Sequence, residues 1–469
     1  MLFNSFSFMI FLCIVLVVSA ILRKYNKGAE LWFLVLASAY FYGQWNWTYL
    51  ILIYITIVSD YILGLKYYKS ENPLKFLYIS LTVNLGILAV YKYLNFILNS
   101  ANTLIQTAGF SYTIPGVELL LPVGISFYTF QSMSYIIDIH RGSLKPREKF
   151  VDYALFVSFF PQLVAGPIVR ASEFFKQLDE KRHFSFDMAQ TGVFLITMGL
   201  VKKVVFADNL ALIVDPVFNA PEAANGWSTL IAVYAFAFQI YFDFSGYTDI
   251  AIGVAMLLGF QFPKNFNHPY VALSIQDFWR RWHMTLSRWL RDYLYISLGG
   301  NRNGAWKTQR NLFLTMFLGG LWHGASWNFA IWGVLHGVYL AIERKISQYQ
   351  WMSWNLDIKP VKFLKWLLVF NLVCFAWIFF RAEDFDQSIQ IITNLTNLAN
   401  DFKLKNLYNT SAYLVIAFMV LHKVSNYYDF ATRSGKMKSL EFIFWQTIFI
   451  LMLILFGAKE AESFMYFQF

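Results

Sequence analysis

The feature that most constrains this chain is its series of long apolar stretches. They cover residues 5–22, 30–44, 46–64, 74–98, 118–138, 151–169, 189–206, 228–260, 311–342, 361–380, 410–426 and 441–457. A bilayer core is about 30 Å thick and takes roughly 20 apolar residues to cross as a helix. The stretches predict an all-α polytopic membrane protein with about 11–12 membrane-spanning helices, plus interfacial and re-entrant ones. The stretches 30–44 and 118–138 are short or interrupted. Composition agrees: charged residues make up 14% of the chain and hydrophobic ones 58%. A soluble domain carries roughly 25% charged residues, and no soluble interior is large enough for this much apolar surface. Ten-residue alternation of the β-barrel kind is missing. Aromatic residues, at 20%, outnumber the charges and exclude disorder. The two cysteines, Cys13 and Cys374, are too few for a disulfide framework or a metal motif, so no metal site is expected.

Charge sets orientation. Arg23, Lys24 and Lys27 follow the first stretch, and no Lys or Arg precedes it. This places the N-terminus outside and the first loop in the cytoplasm, and the stretch reads as a retained helix rather than a signal peptide. Between Asp277 and Arg310, seven Lys and Arg residues face two acids, which is half of the chain's formal +10. This segment should also be cytoplasmic, whereas Lys459, Glu460 and Glu462 leave the C-terminal side undecided. Membrane topology accounts for the excess charge, so nucleic acid is not needed as a partner. No internal repeat is visible, although many transporters carry one. The economical reading is one membrane domain over 1–469, with a motif-bearing core at about 120–340 and flanking helices at 1–119 and 341–469.

Three stretches could carry chemistry. In FLGGLWHGASWNFAIWGVLHG (317–337), His323 lies among Gly319, Gly320 and Gly324 inside an apolar segment. Ionisable groups at membrane depth usually mark a site, and a neutral imidazole suits a general base. The alternative is a packed histidine bonded to a neighbouring helix. The segment exceeds one span, which suggests a bend near His323. His336, 13 residues on, would point away from His323 on a continuous helix and reads as structural. In QDFWRRWHMTLSRWLRDYLYISLGGNRNG (276–304), a helical wheel puts Arg280, His283, Ser287 and Arg291 on one face. Phe278, Trp282, Trp289 and Tyr293 fall on the other. Two readings of this pattern stand side by side: a helix lying on anionic lipid, or one presenting Arg280, Arg281, Arg288 and Arg291 to a phosphate-rich ligand near His283. In QIYFDFSGYTDIAIG (239–253), Asp243–Tyr247 and Ser245–Asp249 are i,i+4 pairs, which suggests hydrogen-bonded support for a site. Finally, FFPQLVAGPIVR (159–170) should break its helix, as backbone lining a cavity or buried in protein does.

These stretches, together with LPVGISFYTFQSMSYIIDIHRG (121–142), resemble the membrane-bound O-acyltransferase (MBOAT) family in order and type, over about residues 120–340. The resemblance is nearest to its bacterial alginate and peptidoglycan O-acetyltransferase branch, with the teichoic-acid D-alanylation protein more distant. It implies a multi-helix fold with a funnel entering from both faces. It also implies His323 and His283 as catalytic residues. Trp282, Ser287 and the arginines become candidate donor contacts, and Asp243, Ser245, Tyr247, Asp249, Trp322 and Asn328 candidate polar support. The resemblance implies acetyl-CoA as a cytoplasmic donor substrate with no bound cofactor, or an acyl carrier protein if the group is D-alanyl. It further implies an extracytoplasmic SGNH-type partner and a multi-pass location in the bacterial inner membrane. A transporter or flippase, and a scaffold without acyl chemistry, are the rival readings of the residues alone.

Overall fold

The computed structural model describes residues 1–180, 182, 184–347, 358–398, 410–427, 433–458 and 463–465, and these contain helices and no strand. They group into two compact units, Met1–Val193 with Ala251–Pro263 and Phe194–Ile250 with Lys264–Phe469.

In the first unit, Asn26 both ends α1 (Phe6–Tyr25) and caps α2 (Lys27–Gly43). Its N–H donates to the Leu22 carbonyl at 2.7 Å, and its side chain accepts from the Ala29 N–H at 3.1 Å. Buried Glu30 then collects Ser19 Oγ (2.9 Å), Arg23 Nε (2.8 Å) and the Arg182 guanidinium. A buried carboxylate with three donors is stable where a lone one would not be. After α3 (Tyr49–Lys69), α4 (Leu74–Leu88) runs through a π-turn into α5 (Leu94–Thr107). The joined run is 34 residues, about 51 Å at 1.5 Å per residue, so it outreaches the bilayer core. α6 (Ile125–His140) is buried on nearly every side. As expected, FFPQLVAGPIVR breaks: α7 (Phe150–Ser158) gives way to one turn, α8 (Phe160–Leu163), then irregular backbone up to α9 (Ala171–Asp179). Residues 159–169 are all buried, so protein and not lipid surrounds the break.

The chain continues through α10 (Phe186–Leu200), a π-turn (Val201–Ala207), α11 (Asp208–Asn219) and the long α12 (Gly226–Leu257). The i,i+4 pairing expected on α12 is not the one found. Lys203 Nζ bridges Asp243 Oδ1 (2.9 Å) and Asp208 Oδ1 (2.7 Å), and Lys202 Nζ reaches Asp249 Oδ2 at 2.5 Å. In a low-dielectric interior a cation outcompetes a hydroxyl for a carboxylate. Gly199 and Gly246 let the two segments touch: a Cβ on Gly199 would lie 2.6 Å from the Gly246 carbonyl oxygen. Met465 N–H also donates to Asp243 Oδ2 at 3.0 Å.

The second unit continues with α13 (Ile275–Arg281), α14 (Met284–Trp289), α15 (Ala305–His323), α16 (Trp327–Ser347), α17 (Lys359–Arg381), α18 (Phe385–Thr396), α19 (Thr410–Tyr427) and α20 (Ser439–Phe456). Among the described residues, six helices are long and apolar enough to cross a membrane: α1, α3, α4–α5, α12, α17 and α20. The other expected spans coincide with shorter or broken helices. The stretch 311–342 does more than bend: α15 and α16 form an antiparallel hairpin closed by Gly324–Ser326. Its glycines serve contact between the two helices. A Cβ on Gly320 would lie 3.0 Å from Gly333 Cα, and one on Gly333 would press into the Met316 carbonyl. Gly333→Val should therefore cost about 1–3 kcal/mol as an overpacked contact. The check is the melting temperature of the detergent-solubilised protein, and an unchanged value would exclude the close approach.

Candidate active site

Local geometry at His283 comes from a helix that stops. The amphipathic segment 276–304 is not one helix: α13 ends at Arg281, and His283 takes a left-handed backbone (φ 42°) before α14 begins. Trp282 and His283, expected on opposite faces, are consequently both fully buried. The break is held by the neighbouring irregular segment at residues 265–267. Asn267 N–H donates to the Arg281 carbonyl, and Met284 N–H to that of Asn265, each at 2.8 Å. Asn265 Oδ1 accepts from Thr285 N–H (3.2 Å) and Thr285 Oγ1 (2.9 Å), and lies 3.1 Å from His283 Nδ1. Because Oδ1 can only accept, Nδ1 of His283 carries the proton and Nε2 the lone pair. Burial holds this imidazole's pKa down to about 3, so it is neutral at any physiological pH.

His323 is the last residue of α15, 4% exposed. Its ring lies 6.4 Å from that of His283, centroid to centroid, although 40 positions separate them in the chain. Aromatic rings close around the pair: Trp322 (5.0 Å), Trp332 (5.1 Å) and Phe380 (5.3 Å) on His323, and Phe244 (4.7 Å) on His283. Trp282, one of the candidate donor contacts, packs instead on Trp377 at 5.0 Å. His336, expected to point away from His323, sits between Gly333 and Gly337, which face Met316 and Phe313 rather than the His323 end of α15. It lies 4.8 Å from Trp332, the ring that also touches His323, and its Nδ1 accepts from Trp279 Nε1 at 3.3 Å.

A cavity of about 570 Å³ opens beside this group, lined by Trp279, Ser287, Arg291, Thr315, Met316 and Arg344 among others. Neither His283 nor His323 lines it. Trp279 does, and it stands 5.7 Å from Trp332. The arginines expected to act together separate. Arg291 lines this cavity, while Arg281 lines a different one. Arg280 is exposed and Arg288 half-buried. Asn328 Nδ2 donates to the Ala382 and Asp384 carbonyls (3.0 and 2.8 Å), tying the start of α16 to the end of α17. Asp243 and Asp249 are the lysine-bridged carboxylates of α12, and the buried Ser245 and Tyr247 lie between them in the chain, with Tyr247 against Phe464. Among the described residues, no three His, Cys, Asp or Glu side chains converge as a metal site would.

Residues 147–382 match the profile of the membrane-bound O-acyltransferase family, MBOAT. The chain belongs to that family. It is 44% identical to the probable alginate O-acetylase AlgI of Azotobacter vinelandii over 75% of this chain and 70% of the relative. It is 40% identical to the peptidoglycan O-acetyltransferase of Helicobacter pylori, over 81% and 76%. The teichoic acid D-alanyltransferase of Bacillus subtilis shares 31%, over 58% and 71%. This MBOAT protein is therefore a multi-pass membrane O-acyltransferase, and His283, His323, Trp332 and Phe380 all fall inside the matched segment.

Several residues of this arrangement escaped the sequence reading. Lys202 and Lys203 had a signal, two charges inside an apolar stretch. Asn265, Trp279 and Trp332 had none, because only the fold brings them to the histidines. Two measurements test the geometry. Asn265→Ala strips the acceptor from Thr285 and His283 and should cost about 1–3 kcal/mol, read as a lower melting temperature. The His283 pKa is depressed in the folded state, so the unfolded chain takes up a proton first as pH falls below the ordinary histidine value of about 6.5. The contribution of His283 to stability is thus full above that value and declines from it toward about 3. His283→Asn should make the fall of stability below about pH 6.5 shallower than in the wild type by the share of this one histidine.

Proposed function

We propose that this O-acyltransferase takes an acetyl group from cytoplasmic acetyl-CoA and passes it across the membrane for O-acetylation of an extracytoplasmic polysaccharide. The observation that carries the reading is the meeting of His283 and His323 in a buried aromatic chamber. The CoA phosphates would meet Arg291 and Arg344 in the cavity bounded by Trp279, with Arg280 and Arg288 supporting the positive field, and the thioester would extend toward His323. His323 acts as general base: its lone pair takes the proton of an acceptor hydroxyl, whose oxygen attacks the thioester carbonyl. The tetrahedral intermediate collapses with loss of the CoA thiolate, which takes that proton back. His283, neutral and fixed by Asn265, positions the reacting groups or relays the proton. Removal of charge from the chamber favours this chemistry, because a dry site strengthens each polar contact.

Acetyl is favoured over D-alanyl because the relatives named for O-acetylation share 40–44% identity, against 31% for the D-alanyltransferase. The acceptor belongs to an extracytoplasmic partner of the SGNH type, which then esterifies a polymer such as alginate or peptidoglycan. The setting is a bacterial inner membrane.

The test is reconstitution with labelled acetyl-CoA and the partner. Transfer predicts free CoA and a labelled ester in equal amounts, whereas a transporter would move label without releasing CoA. At matched protein levels, His323→Ala should lower transfer by about 10²–10⁴-fold, and His283→Ala should also lower it. Full activity of His323→Ala would overturn the assignment. Arg291→Ala should raise the KM for acetyl-CoA several-fold with little change in kcat, and an unchanged KM would remove Arg291 from the donor site.

A further inference from the structure

A second cavity of the same unit, about 730 Å³, has a different chemistry. One wall is a stripe of α17 in which Lys359, Lys362, Phe363, Trp366 and Phe370 recur three or four residues apart, one face of a helix. The facing wall comes from α19, with Val420 and Lys423. Charge is graded along the groove. Lys359 and Lys362 open α17, Lys423 lies in the last turns of α19, and Arg281 ends α13. One carboxylate, Asp277, lines the cavity with these four cations, and it is bonded to Arg281 at 2.9 Å. Eleven residues deeper, about 16 Å along α17, the lining is Phe370 and Phe238. Trp366 is fixed on this wall through Nε1, which donates to the Tyr270 carbonyl at 2.8 Å. Phe363 and Val420, each 55% exposed, form open lips.

α17 is one of the helices able to cross a membrane. Its aromatic wall therefore lies at bilayer depth and its lysines at the interface. The positive-inside rule puts that end in the cytoplasm, as it does for Arg281. At the far end of α17, Arg381 is engaged by Asp215 at 2.9 Å. A water-soluble polyphosphate would use the cations and leave the aromatic wall empty; a diacyl phosphate ester uses both. We propose that this groove is a specific site for an anionic phospholipid of the cytoplasmic leaflet. Its phosphate sits among Arg281, Lys359, Lys362 and Lys423, and an acyl chain lies along Trp366 and Phe370. The site is separate from the donor cavity and does not depend on the transfer mechanism.

The test uses the full-length protein in nanodiscs of phosphatidylglycerol and phosphatidylethanolamine in equal parts, released and weighed by native mass spectrometry. Wild type should retain phosphatidylglycerol in preference to phosphatidylethanolamine. The triple variant Lys359→Gln, Lys362→Gln, Lys423→Gln should lose that retention about tenfold or more, since each lysine near a lipid phosphate is worth about fivefold. Equal retention of the two lipids, or an unchanged triple variant, would overturn the proposal. So would displacement of the bound lipid by millimolar CoA, which would make the groove part of the donor path. If the triple variant fails to fold, a photoreactive phosphatidylglycerol on the wild type decides. Label concentrated in residues 359–370 supports the site, and label spread evenly over the lipid-facing helices refutes it.

Discussion

The close approach of α15 to α16 at Gly320 and Gly333 sets the position of everything around His323. Two helices joined by three residues cross with almost no side chain between them. That contact fixes where α15 ends, and His323 is its end. It also returns the Trp332 ring to His323, where a continuous helix would have carried it away. Gly324 has a related role: a side chain there would occupy the space taken by the Phe329 ring, which packs on Phe380 at 5.0 Å. Small residues at a membrane helix interface allow backbone-to-backbone packing where no hydrophobic drive separates protein from lipid.

The second histidine reaches the same place by a different device. A regular helix from 276 to 304 would keep His283 beside Arg280 on its polar face. The left-handed turn at His283 reverses that, and it persists because Asn265 and Asn267 bond the backbone on both sides of it. A strained residue in a helical stretch is retained only where its surroundings over-determine it. Here they do, and the result is an imidazole with an assigned tautomer, neutral and dry, 6.4 Å from another.

Basic residues in this family member are distributed by depth and by partner. Lys202 and Lys203 are buried or nearly so, and each neutralises carboxylates of α12 or α11. Arg291 and Arg344 line the cavity beside Trp279, whereas Arg281 turns to the groove of α17 and α19. One segment that carries half of the net charge thus serves more than one surface, and the helix break between Arg281 and Arg291 is what divides it.

Fold class and membrane residence were legible in the amino-acid sequence, and so was His323 as an ionisable group within an apolar stretch, because these are local quantities; His283 stood out only through an amphipathic pattern and a family resemblance. The broken run at 159–170 was legible for the same reason, since proline and glycine act on their own backbone. Other features were not. The carboxylates of α12 looked paired with hydroxyls one turn away, and found lysines from another segment, because a tertiary contact offered a stronger partner. Helical periodicity put Trp282 and His283 on opposite faces, and a left-handed turn held by Asn265 buried both. The sequence by itself determined which groups must leave lipid or water. Only the tertiary structure decided which of them meet, because distance between side chains depends on where helices stop and how closely their glycines let them pack.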